Sequence, residues 1–233
     1  VVFLRLAEDS RRLLGAPRAA AEFLELAQAV GGGDTDLEVL RLEVLREAGD
    51  LEGLAESLRV MAERAVAARD PERALVALDE LAAVLADRDA LGAVSALGQA
   101  VALLSDSGWG AEAARRLVAQ GTLLRDAVGD EVNAERALRR AFELDPTEVS
   151  AARAAAALCR RRGDAAGEAG LVEALLPALP PGEQAPARVE LARLRASLGE
   201  AGAAVVALED VLRAEPRHEA ARELYEAVLR GEG

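Results

Sequence analysis

Two kinds of turn marker recur along this chain with one shared period. Gly129-Asp130, Gly163-Asp164 and Gly199-Glu200 stand 34 and 36 residues apart, and Pro146, Pro180 and Pro216 stand 34 and 36 apart as well. Earlier in the chain Gly15 and Gly49 are again separated by 34 residues. Independent markers with one period define a repeat architecture, in which each unit buries its apolar face only against its neighbours.

The residues between markers are helical in pattern. Ala134, Ala137, Leu138, Ala141 and Phe142 fall at i, i+3, i+4, i+7 and i+8, which puts all five on one face of a helix. The same pattern returns in Ala204, Ala207, Leu208, Val211 and Leu212, and in Ala93, Ala96, Leu97, Ala100 and Val101. Ala20, Phe23, Leu24 and Ala27 supply four of the five positions near the start. No stretch alternates as a strand does. The spacing predicts thirteen helices, at 3–14, 17–30, 35–48, 51–68, 71–86, 89–105, 111–128, 131–144, 147–162, 164–176, 183–198, 200–214 and 217–230. Asp34, Asp70 and Asp130 are candidate N-caps. Pro17 and Pro71 suit a first helical turn, where the missing N–H costs nothing. Pro177, Pro180 and Pro181 close the tenth helix, because proline cannot continue the hydrogen-bond ladder.

Such a fold has to be built from small side chains. The chain is 52% apolar but 2% aromatic, so its core is Leu, Ala and Val. There is no Lys and no Ile, and all 28 basic residues are Arg, a bias that suggests a GC-rich bacterial genome. The net charge of −13 opposes DNA, RNA or an anionic membrane surface as the main partner, although a local Arg patch could hold an acidic peptide. Cys159 is the single cysteine, which excludes intrachain disulfides and Cys-based zinc sites and suits a cytoplasmic chain, or equally a periplasmic one. Charges interrupt every apolar run well short of the roughly 18–20 residues that span a bilayer. The chain opens Val-Val-Phe rather than with Met and reads as a fragment of a larger protein or a processed product.

A period of about 34 residues, a glycine turn, a small residue five positions later, another seven after that and a closing proline resemble the tetratricopeptide repeat. Those residues are Gly129, Ala134, Ala141 and Pro146 in one unit and Gly199, Ala204, Val211 and Pro216 in another. The resemblance implies an all-α fold, a right-handed α-α superhelix of about six helix pairs with a C-terminal capping helix. Residues 1–233 then form one solenoid, divergent over 1–110, clearest over 111–216 and capped by 217–233. Leu54 and Glu168 depart from the small residue expected at their positions, residues 71–105 fit a stretched period, and the aromatic near the start of each unit is mostly Ala. The cap sets Arg222, Glu223, Glu226 and Arg230 on one side and Ala220, Leu224 and Val228 on the other. No such cap exists at the front, which leaves Val1, Val2, Phe3, Leu4 and Leu6 open.

Few residues offer chemistry. His218, the single histidine, follows Pro216 at a helix start, where a solvated residue is expected. Cys159 lies in an apolar phase and reads as a small core hydrophobe; the reactive-thiol alternative would draw on Arg160, Arg161 and Arg162. Those three arginines fall in a last helical turn and complement the macrodipole, or else contact an anion on an inner face. "GGGD" at 31–34 lacks the Lys-Ser/Thr of a phosphate loop and reads as a turn. Trp109 either staples the next helix by packing on Ala114 or anchors a partner. Phe23 and Phe142 lie on core faces. No metal, cofactor or catalytic constellation emerges, and the expectation is a non-enzyme.

The family resembled binds proteins, holding peptides or helices in a concave groove lined by the first helix of each pair. The resemblance places Arg116, Ala119 and Leu123 in that groove in one unit. Ser150, Arg153, Ala157 and Arg160 follow in the next, then Val189, Arg193 and Ser197. With no Lys, and with Leu123 and Ala157 where Asn would be wanted, clamping of a chaperone's C-terminal carboxylate is disfavoured. The function implied is a protein-interaction scaffold. The alternative is a structural module that stacks, or self-associates, through its open N-terminal face.

Overall fold

The computed structural model describes residues 2–13, 15–31, 35–105 and 109–231. Asp34 and most of the "GGGD" turn lie outside these residues, as does Val1. The chain divides into two compact units, Val1–Leu103 and Leu104–Gly233. The first holds α1 (Val2–Arg12), α2 (Pro17–Gly31), α3 (Thr35–Ala48), α4 (Leu51–Ala67), α5 (Pro71–Leu85) and α6 (Ala90–Ser105). The second holds α7 (Gly110–Leu123), α8 (Glu131–Leu144), α9 (Val149–Arg162), α10 (Ala165–Leu175), α11 (Pro181–Ser197), α12 (Ala201–Ala214) and α13 (Glu219–Arg230). No strand occurs among the described residues. In the first unit α2 to α5 each pack on the helix before; in the second, α8 to α13 do the same.

Most helix boundaries fall within two residues of those predicted, and the differences have local causes. The helix expected at 111–128 is α7 continued by a π turn over Leu124–Val128. Beyond α10, Leu176–Ala178 tightens into a 3-10 turn around Pro177. α11 begins at Pro181 rather than at residue 183, since a proline is well placed at the first helical position. Pro186 also lies within that helix.

Two turn types alternate in the second unit. Within a pair, Gly163 takes a left-handed conformation (φ 72°), its N–H donates to the Arg160 carbonyl at 3.1 Å, and the Asp164 N–H donates to the Cys159 carbonyl at 2.9 Å. This closes one helix, and the Asp164 carboxylate then accepts the Gly167 N–H at 2.8 Å and opens the next. Asp130 caps α8 through the Asn133 N–H at 3.0 Å, Asp70 caps α5 through Arg73 at 3.1 Å, and Asp50 caps α4 through Gly53 at 3.0 Å. At the α4–α5 turn the left-handed position is taken by Arg69 (φ 58°), so the motif persists without its glycine. Between pairs, the Asp145 carboxylate accepts from the Thr147 N–H (2.9 Å) and hydroxyl (2.7 Å) around Pro146. His218 sits after the matching Pro216 turn and caps α13, its Nδ1 accepting the Ala221 N–H at 3.2 Å.

The core is made largely of alanine and leucine. All five apolar positions of α8 are buried, Phe142 included. In α12 Ala204, Leu208 and Val211 are buried, with Ala207 and Leu212 packed beside them. Phe23 is only half-buried, whereas Leu24 beside it is fully enclosed. Leu54 is buried where a small residue was expected. Helices approach closely at Gly121, where a Cβ would stand 2.7 Å from Leu138 Cγ and 3.2 Å from the Ala134 carbonyl. Of the stripe expected on α13, Val228 is buried and Leu224 packs against the cluster, whereas Ala220 is exposed and Ala221 is buried in its place, with Tyr225 packed alongside. In α1, Ala7 and Ser10 turn inward and Val2 and Leu6 are exposed, while Phe3 and Leu4, also expected to lie open, are half-buried.

Candidate functional site

α9 and α11 are the first helices of consecutive pairs, and α10 passes between them in the chain. α9 turns Ala152, Ala155, Ala156 and Cys159 into the core and leaves Arg153, Ala157 and Arg160 exposed. Their spacing of four and three residues keeps all three on one open face. α11 brings Glu183, Pro186, Ala187 and Glu190 opposite, and Val172, Leu175 and Leu179 complete the floor. Together they line a cleft of about 370 Å³.

Charged pairs stand around this apolar floor. Arg153 binds Glu183 across the cleft through Nη2. Arg160 donates from Nε to Glu168 Oε1 at 2.7 Å and from Nη2 to Glu190 Oε1 at 3.1 Å. The second oxygen of Glu190 accepts from Arg193 Nη1 at 3.2 Å. Glu168 supports the cleft from below. It occupies a position where the repeat calls for a small residue, and its side chain is 4% exposed. Its hydrogen bond, followed by its charge and that of Glu190, raises the pKa of the Arg160 guanidinium.

The "RRR" run therefore serves three neighbours as well as its own helix end. Arg160 reaches α10 and α11, Arg161 meets Glu131 of α8 at 2.8 Å, and Arg162 meets Glu135 of α8 at 3.3 Å. Cys159 beneath them is fully buried, with Arg139 Nη2 3.9 Å from its sulfur. Burial, then Glu135 and Asp164, push its thiol pKa up against the opposing pull of Arg139 and Arg162. This is a core cysteine, without the lowered pKa of a reactive thiol.

The structure brings only some of the expected groove residues together. Arg153, Ala157 and Arg160 line the cleft, and Arg193 joins it through Glu190. Val189 does not: it is 6% exposed and packs with Ala192, Ala204, Leu208 and Val228. α11 carries two buried stripes, since Leu191 meets Ala169 and Val172 on its other side, and Val189 falls on the stripe facing α12 and α13. Ser150 and Ser197 are exposed outside the cleft lining, and the Ser197 hydroxyl donates to the Leu194 carbonyl at 2.7 Å. On α7, Arg116 and Leu123 are half-buried, Ala119 is exposed, and Arg116 Nη1 donates to the Glu112 carbonyl at 3.0 Å. Trp109 is the N-cap of α7, one residue later than a staple requires, and half of its surface is exposed.

Sequence reasoning missed the acidic half of the site. Its signal was present: Arg153–Glu183, Arg160–Glu190 and Arg161–Glu131 are opposite charges at one offset of 30 residues. No group of three or more potential metal-ligating side chains occurs among the described residues. No helix among them is long and apolar enough to cross a membrane.

Helix pairs closed by a glycine–acid turn, separated by proline turns and repeating at 34–36 residues make the second unit an array of helical repeats, in a pattern that resembles the tetratricopeptide repeat. No family model matches the chain, and no curated protein matches it. Among solved structures it is similar to YrrB, described as a TPR protein with an unusual peptide-binding site, at 16% identity over 88% of this chain and 99% of that one (TM-score 0.43). It is also similar to the C-terminal part of a TPR repeat-containing protein from Cytophaga hutchinsonii, at 14% identity over 96% and 86% (TM-score 0.45). A third is pilF of Pseudomonas aeruginosa, at 15% identity over 95% and 94% (TM-score 0.41).

Proposed function

We propose that this chain is a non-enzymatic protein-interaction scaffold that receives a segment of a partner protein in the cleft between α9 and α11. The observation that carries this reading is the cleft itself: a 370 Å³ concavity with an apolar floor and charged groups at its edge. Specific binding surfaces combine these elements, apolar contact area for affinity and polar groups at the rim for orientation. The exposed small residue Ala157 leaves the cleft open. Selection of a random peptide library displayed on phage tests the reading. Peptides are expected that bind the natural sequence and are lost when Ala157→Trp fills the cleft with the helices intact. Enrichment that ignores Ala157→Trp removes the cleft from consideration.

A second reading, stacking through the N-terminal face, is favoured by the exposure of Val2 and Leu6 on α1. It requires self-association that disappears when Phe3 and Leu6 become charged, as sedimentation would show.

A further inference from the structure

The cleft holds hydrogen-bond donors in excess of acceptors, and this sets the chemistry of what it can bind. Both oxygens of Glu190 are engaged, one by Arg160 and the other by Arg193. Glu183 accepts from Arg153 through Oε2, which leaves its Oε1 as the one carboxylate oxygen of the lining, among the described residues, open to a donor. Glu168 is buried beneath Arg160 and closed to a ligand. The arginines are less fully used. Arg153 contacts Glu183 through Nη2 alone, Arg193 contacts Glu190 through Nη1 alone, and Nη1 of Arg160 contacts no protein group among the described residues. A guanidinium offers five N–H donors. All three arginine side chains are more than half exposed. α9 itself carries four arginines and no carboxylate, in a chain whose net charge is −13.

We infer that the partner segment is acidic, with an apolar side chain seated on Val172, Leu175, Leu179 and Pro186 and carboxylates on either side of it reaching Arg153 and Arg160. This rests on the cleft being the docking site. The spacing follows from the helix. Arg153 and Arg160 are seven residues apart, about 10 Å along α9. In an extended segment side chains alternate between faces, so those turned to the cleft stand at i, i+2 and i+4. At roughly 3.3 Å per residue the first and last are about 13 Å apart, a span within reach of the long arginine side chains. The segment thus presents carboxylates at i and i+4 with the apolar residue at i+2 between them, all three on one face. The exposed Arg153–Glu183 pair is a small obstacle, since surface ion pairs of this kind contribute about 0–1 kcal/mol.

Fluorescence anisotropy with three synthetic peptides tests this. Each carries one central leucine at i+2, flanked at i and i+4 by Glu, by Gln or by Lys. The Glu peptide is expected to bind about tenfold tighter than the Gln peptide, the scale of one added charge-assisted hydrogen bond. The advantage should shrink in Arg153→Gln and with added salt. Equal binding of the Glu and Gln peptides, both lost in Ala157→Trp, overturns the acidic assignment and leaves the cleft reading intact. Tighter binding of the Lys peptide overturns it too, as does dimerisation of the protein through the cleft that excludes all three. Failure of every peptide to bind overturns it as well, and the phage selection then decides the fate of the cleft separately.

Discussion

Arg160 and Glu168 lie on the two helices of one hairpin and meet at 2.7 Å across its turn, the carboxylate buried and the guanidinium reaching outward to Glu190. A glutamate thus stands at the seam where other pairs place Ala134 or Ala204. The pair replaces a packing contact by a polar one and fixes an arginine at the edge of the cleft.

Arg160→Ala should therefore cost more than its exposure suggests. It leaves Glu168 with its charge buried and its partner gone, a loss of about 2 kcal/mol, held below the range for fully buried pairs because Arg160 itself is open to water. Adding Glu168→Ala should recover most of that loss, since an apolar residue of the seam type returns. Urea unfolding of the single and double variants measures the difference. A double variant no more stable than Arg160→Ala would show that the pair is not the source of the effect.

Gly121→Ala should destabilise the second unit by about 1–3 kcal/mol, as overpacked sites do. The new methyl would meet Leu138 and the Ala134 carbonyl at the α7–α8 contact, where there is no room for it. Alanine is the better helix former by roughly 1 kcal/mol, so a thermal melt unchanged or raised would mean that α7 shifts freely.

Acid should weaken the turns through Asp130 and Asp145. The Asn133 N–H, then its side chain, hold Asp130 below the usual 3.8, and the Thr147 hydroxyl, then its N–H, do so for Asp145. A carboxylate with a lowered folded-state pKa stabilises fully above its unfolded value and progressively less as pH falls through the folded one. The window of loss is thus below 3.8. Melting temperatures measured on descent through that window should fall less steeply for Asp145→Ala than for the natural sequence, while the variant is the less stable of the two at neutral pH. Parallel slopes would contradict the assignment.

The fold was legible because its rules are local. Periodicity found the helices, and the glycine–acid and proline markers found the turns within about two residues. What escaped depended on a neighbour. Val189 reads as groove-facing from its register, yet α11 is contacted on both sides and has less open surface than a helix with one buried stripe. Glu168 reads as a defect in the pattern until Arg160 is seen opposite. On α13 the inward alanine is Ala221 rather than Ala220, because it is the one that meets the cluster of α11 and α12. Glu183 and Glu190 escaped because each meets its arginine, Arg153 or Arg160, only across 30 residues of chain, on the first helix of the next pair.

The alanines of the seams have a consequence for how this sequence can drift. Ala74, Ala93, Ala114, Ala134, Ala141, Ala152, Ala192 and Ala204 are completely enclosed. Cores of leucine and phenylalanine can change by losing atoms and accepting a void. A seam already reduced to methyl groups has almost nothing left to lose, so nearly every substitution there adds volume and pushes two helices apart. Variation is steered away from the seams and toward exposed positions such as Ala157 and Arg153, where a new side chain changes what the surface meets while the helices keep their spacing.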